Sequence, residues 1–166
     1  MKNNEHGRSM IEMLGVLAII GVLSLAALAG YQKAMAKHKL NRTMQQMVTI
    51  VNNLRTTFYQ SQDAKTPYNL FGNNKSASVE GMRKAVQLRV FPDEMIFDAN
   101  APVIQNLYKG DVYIISEDGG ETFEVVFEAL PKEASIAIGT IDWGTDDASG
   151  LQEVLINEGE ESAGGE

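Results

Sequence analysis

The sequence predicts an α+β protein in which one long N-terminal helix leads into a small antiparallel-sheet head. Three observations carry that prediction. The run from Met10 to Gly30 is almost entirely apolar and holds one acid, Glu12. Beyond Gly30, apolar residues recur at spacings of three and four, the mark of a helix stripe. Later, the β-rich runs Val112–Ile115 and Thr122–Phe127 bracket Asp118-Gly119, a pair that accepts positive φ and so suits a hairpin turn.

The first element is the apolar run. About twenty apolar residues at ~1.5 Å rise match a ~30 Å hydrocarbon core. Met13 to Ala29 shows no polar face, as a soluble core helix of that length normally would. Lys2 and Arg8 precede the run, and Lys33, Lys37, Lys39 and Arg42 follow it, so charge alone does not set its orientation. A secretory signal peptide shares the basic start and offers the small residues "LAALAG" near a cleavage point. Against that reading, Glu12 stands at the start of the run and the helical pattern continues past Gly30.

The continuation places Leu40, Met44, Met47, Val48, Val51, Leu54 and Phe58 on one stripe. No proline interrupts residues 8–62. One helix of roughly 55 residues, about 80 Å long, is the simplest structure, apolar all round in its first half and amphipathic in its second. Residues 62–74, polar with Pro67 and Gly72, read as the loop that leaves it. Ser78 is placed to cap a short helix whose face is Val79, Met82, Ala85 and Val86, ending before Pro92. After the hairpin, "PKEASIAIG" opens with a proline suited to a helix's first turn. Leu151–Asn157 reads as a final strand, and "EGEESAGGE" as an acidic, disordered tail.

Charge divides along the same line. Residues 1–62 hold seven Lys/Arg and two acids, whereas residues 63–166 hold seven Lys/Arg and twenty acids. The acidic part argues against nucleic-acid binding by the head. With no cysteine, the chain has no disulfide and no thiol chemistry. The expected divisions are 1–7, a leader set apart only by the resemblance given next; 8–30, the apolar helix; 31–62, its amphipathic continuation; 63–157, the α+β head; and 158–166, the tail.

Residues 7–12, "GRSMIE", resemble the prepilin-peptidase recognition site of type IV pilins and pseudopilins. In that family a short basic leader ends in glycine, cleavage follows it, and a glutamate stands fifth in the mature chain. The resemblance implies a cut after Gly7, Arg8 as the new N-terminus and candidate for N-methylation, and Glu12 as the glutamate that sets assembly register. Gly21 falls where such helices often carry a weakening glycine. Further on, "VFPDEMI", "VIQNLYKGDVYI" and "TFEVVFEALPKEA" look like the block order of type IVb-like pilins of conjugative thin pili and bundle-forming pili, through Pro92–Met95, Asn106–Gly110 and Leu130–Pro131. The family's C-terminal disulfide has no counterpart, and Ser135 stands near its expected position. The implied fold is the pilin fold. The implied partners are a prepilin peptidase, further copies in a helical filament, and an inner-membrane assembly platform. The implied location is the bacterial inner membrane, single pass with the head in the periplasm, and then an extracellular pilus or fimbrium.

Glu12 has a physical role in that picture. A lone ionised acid in the apolar zone costs roughly 2.5–3.5 kcal/mol on insertion scales. In a helix-packed core, a neighbour's α-amine is a cation able to meet it. A misplaced neighbour leaves the charge unpaired, at about 3–5 kcal/mol, so the pair acts as a ruler more than as glue.

Other chemistry is thin. His6 and His38 lie far apart, and no metal or cofactor is expected. Asp142, Asp146 and Asp147 form an acidic loop without EF-hand spacing. Asn41 and Asn74 begin glycosylation triplets that arise readily by chance. No Ser/His/Asp grouping or phosphate loop occurs, so no enzyme activity is expected. The sequence therefore favours a structural filament subunit serving adhesion, motility, DNA transfer or secretion. A type II secretion pseudopilin and a membrane-anchored periplasmic binding module are the alternatives.

Overall fold

The computed structural model describes residues 5–58, 65–98, 101–143 and 151–156, with side chains from Met10 onward. The fold is α+β, with a long apolar N-terminal helix and small antiparallel two-stranded sheets after it. The chain divides into two compact units, Met1–Asn41 and Arg42–Glu166. Helix α1 spans Glu5–Phe58 and contributes to both. It contains no proline, and its glycines at 15, 21 and 30 cost only ~1 kcal/mol each relative to alanine. The helix runs unbroken through Gly7 and Arg8.

In the second unit, α1 buries Thr43, Gln46, Ile50, Leu54 and Phe58. That face is rotated from the expected stripe. Val48 is 46 % exposed, Met44, Met47 and Val51 are half-buried, and Ile50 lies at the centre of the core. The polar residues Thr43 and Gln46 displaced the stripe, a choice that apolar periodicity cannot register. Gln46 Nε2 reaches Glu94 Oε1 at 2.7 Å, and Arg42 grips the same carboxylate through two nitrogens, at 2.9 and 2.7 Å.

Residues after the helix are more than a connecting loop. A 3-10 turn at Asn69–Phe71 buries Phe71, and Tyr68 beside it is also buried. Phe71 packs on Phe58 with ring centroids 5.1 Å apart, and Tyr68 on Phe123 at 4.6 Å. Aromatic pairs of this kind add ~0.5–1.5 kcal/mol beyond their burial.

Helix α2, Val79–Gln87, buries Gly81, Met82 and Ala85, while Val79 is exposed. Ser78 flanks it as expected, yet its hydroxyl donates to Lys75 O and caps nothing. Asn74 opens the segment instead, accepting the Ala77 N–H at 2.8 Å. At the other end Val90 N–H returns to Ala85 O and Arg89 N–H to Val86 O, with Arg89 at φ 56. This is a Schellman turn built without glycine. Asn53 of α1 donates to Val90 O at 3.1 Å, tying the turn to the long helix.

Pro92 precedes a 3-10 turn, Asp93–Met95, which buries Met95. Strands β1 (Ile96–Asp98) and β2 (Val103–Ile104) form one antiparallel pair with an irregular register. Strands β3 (Val112–Glu117) and β4 (Thr122–Phe127) form the second, from Val112 opposite Phe127 to Glu117 opposite Thr122. Asp118 and Gly119 at the turn adopt φ 50 and 68, as the Asp-Gly pair predicts. The core gathers Ile50, Leu54, Phe71, Phe91, Met95, Ile104 and Ile114, each essentially fully buried. Burial of such side chains is worth ~1.5–3 kcal/mol apiece.

Helix α3, Lys132–Gly139, follows Pro131, which sits one residue before the first turn. Trp143 Nε1 donates to Ile138 O at 2.8 Å near its end. The expected final strand is not formed by residues 151–156, which are exposed and belong to no regular element; Asn157 lies outside the described residues, as does the tail.

The Arg42–Glu94 clamp sets a pH prediction. Hydrogen bonds from Arg42 and then Gln46 hold the Glu94 carboxyl below its ordinary value. A depressed carboxylate contributes stability that is complete above its unfolded pKa, ~4.3, and is lost as pH falls through the folded value. The stability difference between wild type and Glu94→Gln should therefore shrink on acidification from about pH 6 towards pH 3, by denaturant titration. A difference independent of pH would show that the charge contributes nothing.

Candidate assembly site

In the first unit, the described side chains from Met10 to Lys39 are all exposed. Ile11 is 73 % exposed and Leu25 71 %. An 18-residue window here has a mean hydropathy of 2.4, and none of it is buried in the chain's own fold. The helix is long and apolar enough to cross a membrane. Within the protein itself, this surface has found nothing to bury against. Lipid, or other helices, would release ~25 cal/mol for each Å² covered.

Glu12 lies in this apolar stretch, and among the described residues it has no hydrogen-bond or ion-pair partner. Arg8 is four residues earlier on the same helix, which puts it on the same face. Its side chain, and that of His6, lie outside the described ones. Gly7 lies in the first turns of α1. A Cβ at Gly21 would meet nothing within 4 Å, so the protein's own packing does not demand glycine there. The structure thus sets Gly7, Arg8, Glu12 and Gly21 along one helix, and among the described residues no distant side chain meets Glu12 or Gly21.

Elsewhere the polar groups serve the fold. Lys75 Nζ bridges Asp111 and Glu128 at 2.9 and 2.8 Å and lies 5.0 Å from the Tyr113 ring centre. The hydrogen bond to Glu128, opposed by partial burial, holds the ammonium above its usual value. Burial raises the Tyr113 phenol. A groove of about 190 Å³ beside them is floored by Val79, Met82 and Val112, and its charged residues, Lys75 and Asp111, pair with each other. Asp142 is exposed, Asp146 and Asp147 lie outside the described residues, and His38 and Asn41 are exposed on α1. Among the described residues no three His, Cys, Asp or Glu side chains converge to hold a metal.

Sequence reasoning missed the Arg42–Glu94–Gln46 clamp and the Lys75 bridge. Both join residues far apart in the chain, and no spacing rule signals them. No family model matches the chain, and neither a curated protein nor a solved structure does.

Proposed function

We propose that this chain is a type IV pilin-like subunit, of type IVb-like character, with a structural and non-catalytic role. It is made as a precursor in the bacterial inner membrane with its head in the periplasm. A prepilin peptidase cuts after Gly7, and Arg8 becomes the N-terminus. An assembly platform then polymerises the subunit through α1 into an extracellular pilus, with Glu12 setting the register of each neighbour.

One observation carries this reading. A continuous apolar helix surface, unburied by the protein's own fold, begins at Met10 within G-R-S-M-I-E and holds a single acid, Glu12. A simple anchor gains nothing from that acid, whereas a packed helix core gains a register mark. The half-buried Met44, Met47 and Val51 extend apolar surface along α1 into the second unit.

The test is co-expression with a prepilin peptidase, followed by intact-mass measurement. Loss of residues 1–7 is expected, with or without an added methyl group on Arg8, and substitution of Gly7 should block it. An unchanged N-terminus in the wild type would overturn the reading.

A further inference from the structure

The β3–β4 pair leaves one edge open. Glu128 N–H donates to Asp111 O, which sets the phase of the ladder. Tyr113–Val126, Ile115–Glu124 and Glu117–Thr122 are then the pairs that exchange hydrogen bonds. Phe123, Val125 and Phe127 consequently turn their N–H and C=O groups away from β3. On the β3 side the equivalent outward group is used, with Ser116 N–H donating to Gly72 O at 2.7 Å. On the β4 side no backbone hydrogen bond arrives from any described residue. The side chains of Phe123, Val125 and Phe127 pack against the core but are only partly buried. The core is thus incompletely covered along the same edge.

Charge selects the occupant. Residues 110–131, which hold the whole hairpin, contain six acids (Asp111, Glu117, Asp118, Glu121, Glu124, Glu128) and no Lys, Arg or His. Lys75 compensates the Asp111 and Glu128 end alone. Glu124 stands mid-strand and, beside a like strand, would meet a like charge. A second copy's β4 is therefore disfavoured. The chain's own segment Leu151–Ile156, which joins no sheet, carries Glu153, and Glu158, Glu160 and Glu161 follow it in the sequence.

We propose that the outer edge of β4 docks a basic, extended segment of a partner protein by strand addition. Its backbone pairs with Phe123, Val125 and Phe127. Its alternate apolar side chains cover the flank of the core, and its Lys or Arg residues face Glu124 and the acids of the hairpin tip. This inference stands apart from the filament reading and needs only the head.

The experiment uses the full chain in detergent micelles and fluorescein-labelled seven-residue peptides. One alternates lysine and valine; a second replaces the lysines with glutamate; a third keeps the lysines and carries a central proline; a fourth is the chain's own residues 151–157. The lysine–valine peptide should bind and slow hydrogen exchange at the amides of Phe123, Val125 and Phe127. The proline peptide should bind at least about tenfold more weakly, because it loses backbone bonds worth ~0.5–1.5 kcal/mol each. Glu124→Lys, on the outer face of the hairpin, should reverse the preference between the lysine and glutamate peptides. Equal binding of the lysine and proline peptides would reduce the site to unspecific charge and overturn the proposal. So would absence of binding, or the 151–157 peptide binding as tightly as the basic one.

Discussion

Glu12→Val is expected to leave membrane insertion intact and to lower filament yield by at least about tenfold, since the misregistered charge it guards against is worth ~3–5 kcal/mol. Valine removes the one acid between Met10 and Gly30, so the helix inserts more readily. Any loss must then arise at assembly. On the filament reading, the carboxylate would meet a neighbour's Arg8 α-amine in a helix-packed core, an amine that would exist only after a cut behind Gly7. Without the carboxylate that amine is left as the unpaired charge, and staggered arrangements lose their penalty. Membrane fractionation measures the first effect, and sheared-pilus yield with electron microscopy the second. Normal filaments at normal yield would remove the ruler role from Glu12. Arg8 sharpens the test, because an i, i+4 pair with Glu12 would compete with the neighbour's amine. Arg8→Ala should therefore not weaken assembly, provided processing is unchanged.

The long helix, the short helices and the hairpin were legible because each rests on local rules: apolar runs and spacing, proline placement, and a turn pair with positive φ. The core face of α1 was not. Its buried edge includes Thr43 and Gln46, and Gln46 is held by Glu94, a residue some fifty positions away. Likewise the polar stretch after α1 conceals Tyr68 and Phe71, two core aromatics whose partners are Phe123 and Phe58. Leu151–Ile156 has the composition of a strand but joins no sheet, and propensity alone does not place it in one. The candidate assembly site shows the reverse balance. Gly7, Arg8 and Glu12 were singled out by the resemblance of G-R-S-M-I-E to a prepilin processing site, and the structure places all three on the one helix α1.

The head offers the second large effect. Gly110→Ala should lower stability by about 3 kcal/mol or more, because overpacking at a site closed by backbone cannot relax by a side-chain shift. A Cβ on Gly110 would fall 1.8 Å from Glu128 O and 2.5 Å from Glu128 C. Nor can that backbone retreat easily. Asn106, itself buried, donates through Nδ2 to the same Glu128 oxygen at 2.8 Å, and its Oδ1 accepts from the N–H groups of Tyr108 and Gly110. Glu128 N–H is held by Asp111 O at 2.9 Å. The Asn106–Gly110 turn and the end of β4 are thus one hydrogen-bonded knot, and a methyl group must break it or be refused. Gly119→Ala is the matched control. Gly119 has φ 68 but nothing within 4 Å of a Cβ, so only backbone strain of roughly 1–2 kcal/mol applies. Thermal unfolding should then show a fall of about 10–20 °C for Gly110→Ala and clearly less for Gly119→Ala. Equal shifts would mean that the knot yields, and that the head is held by its apolar core alone.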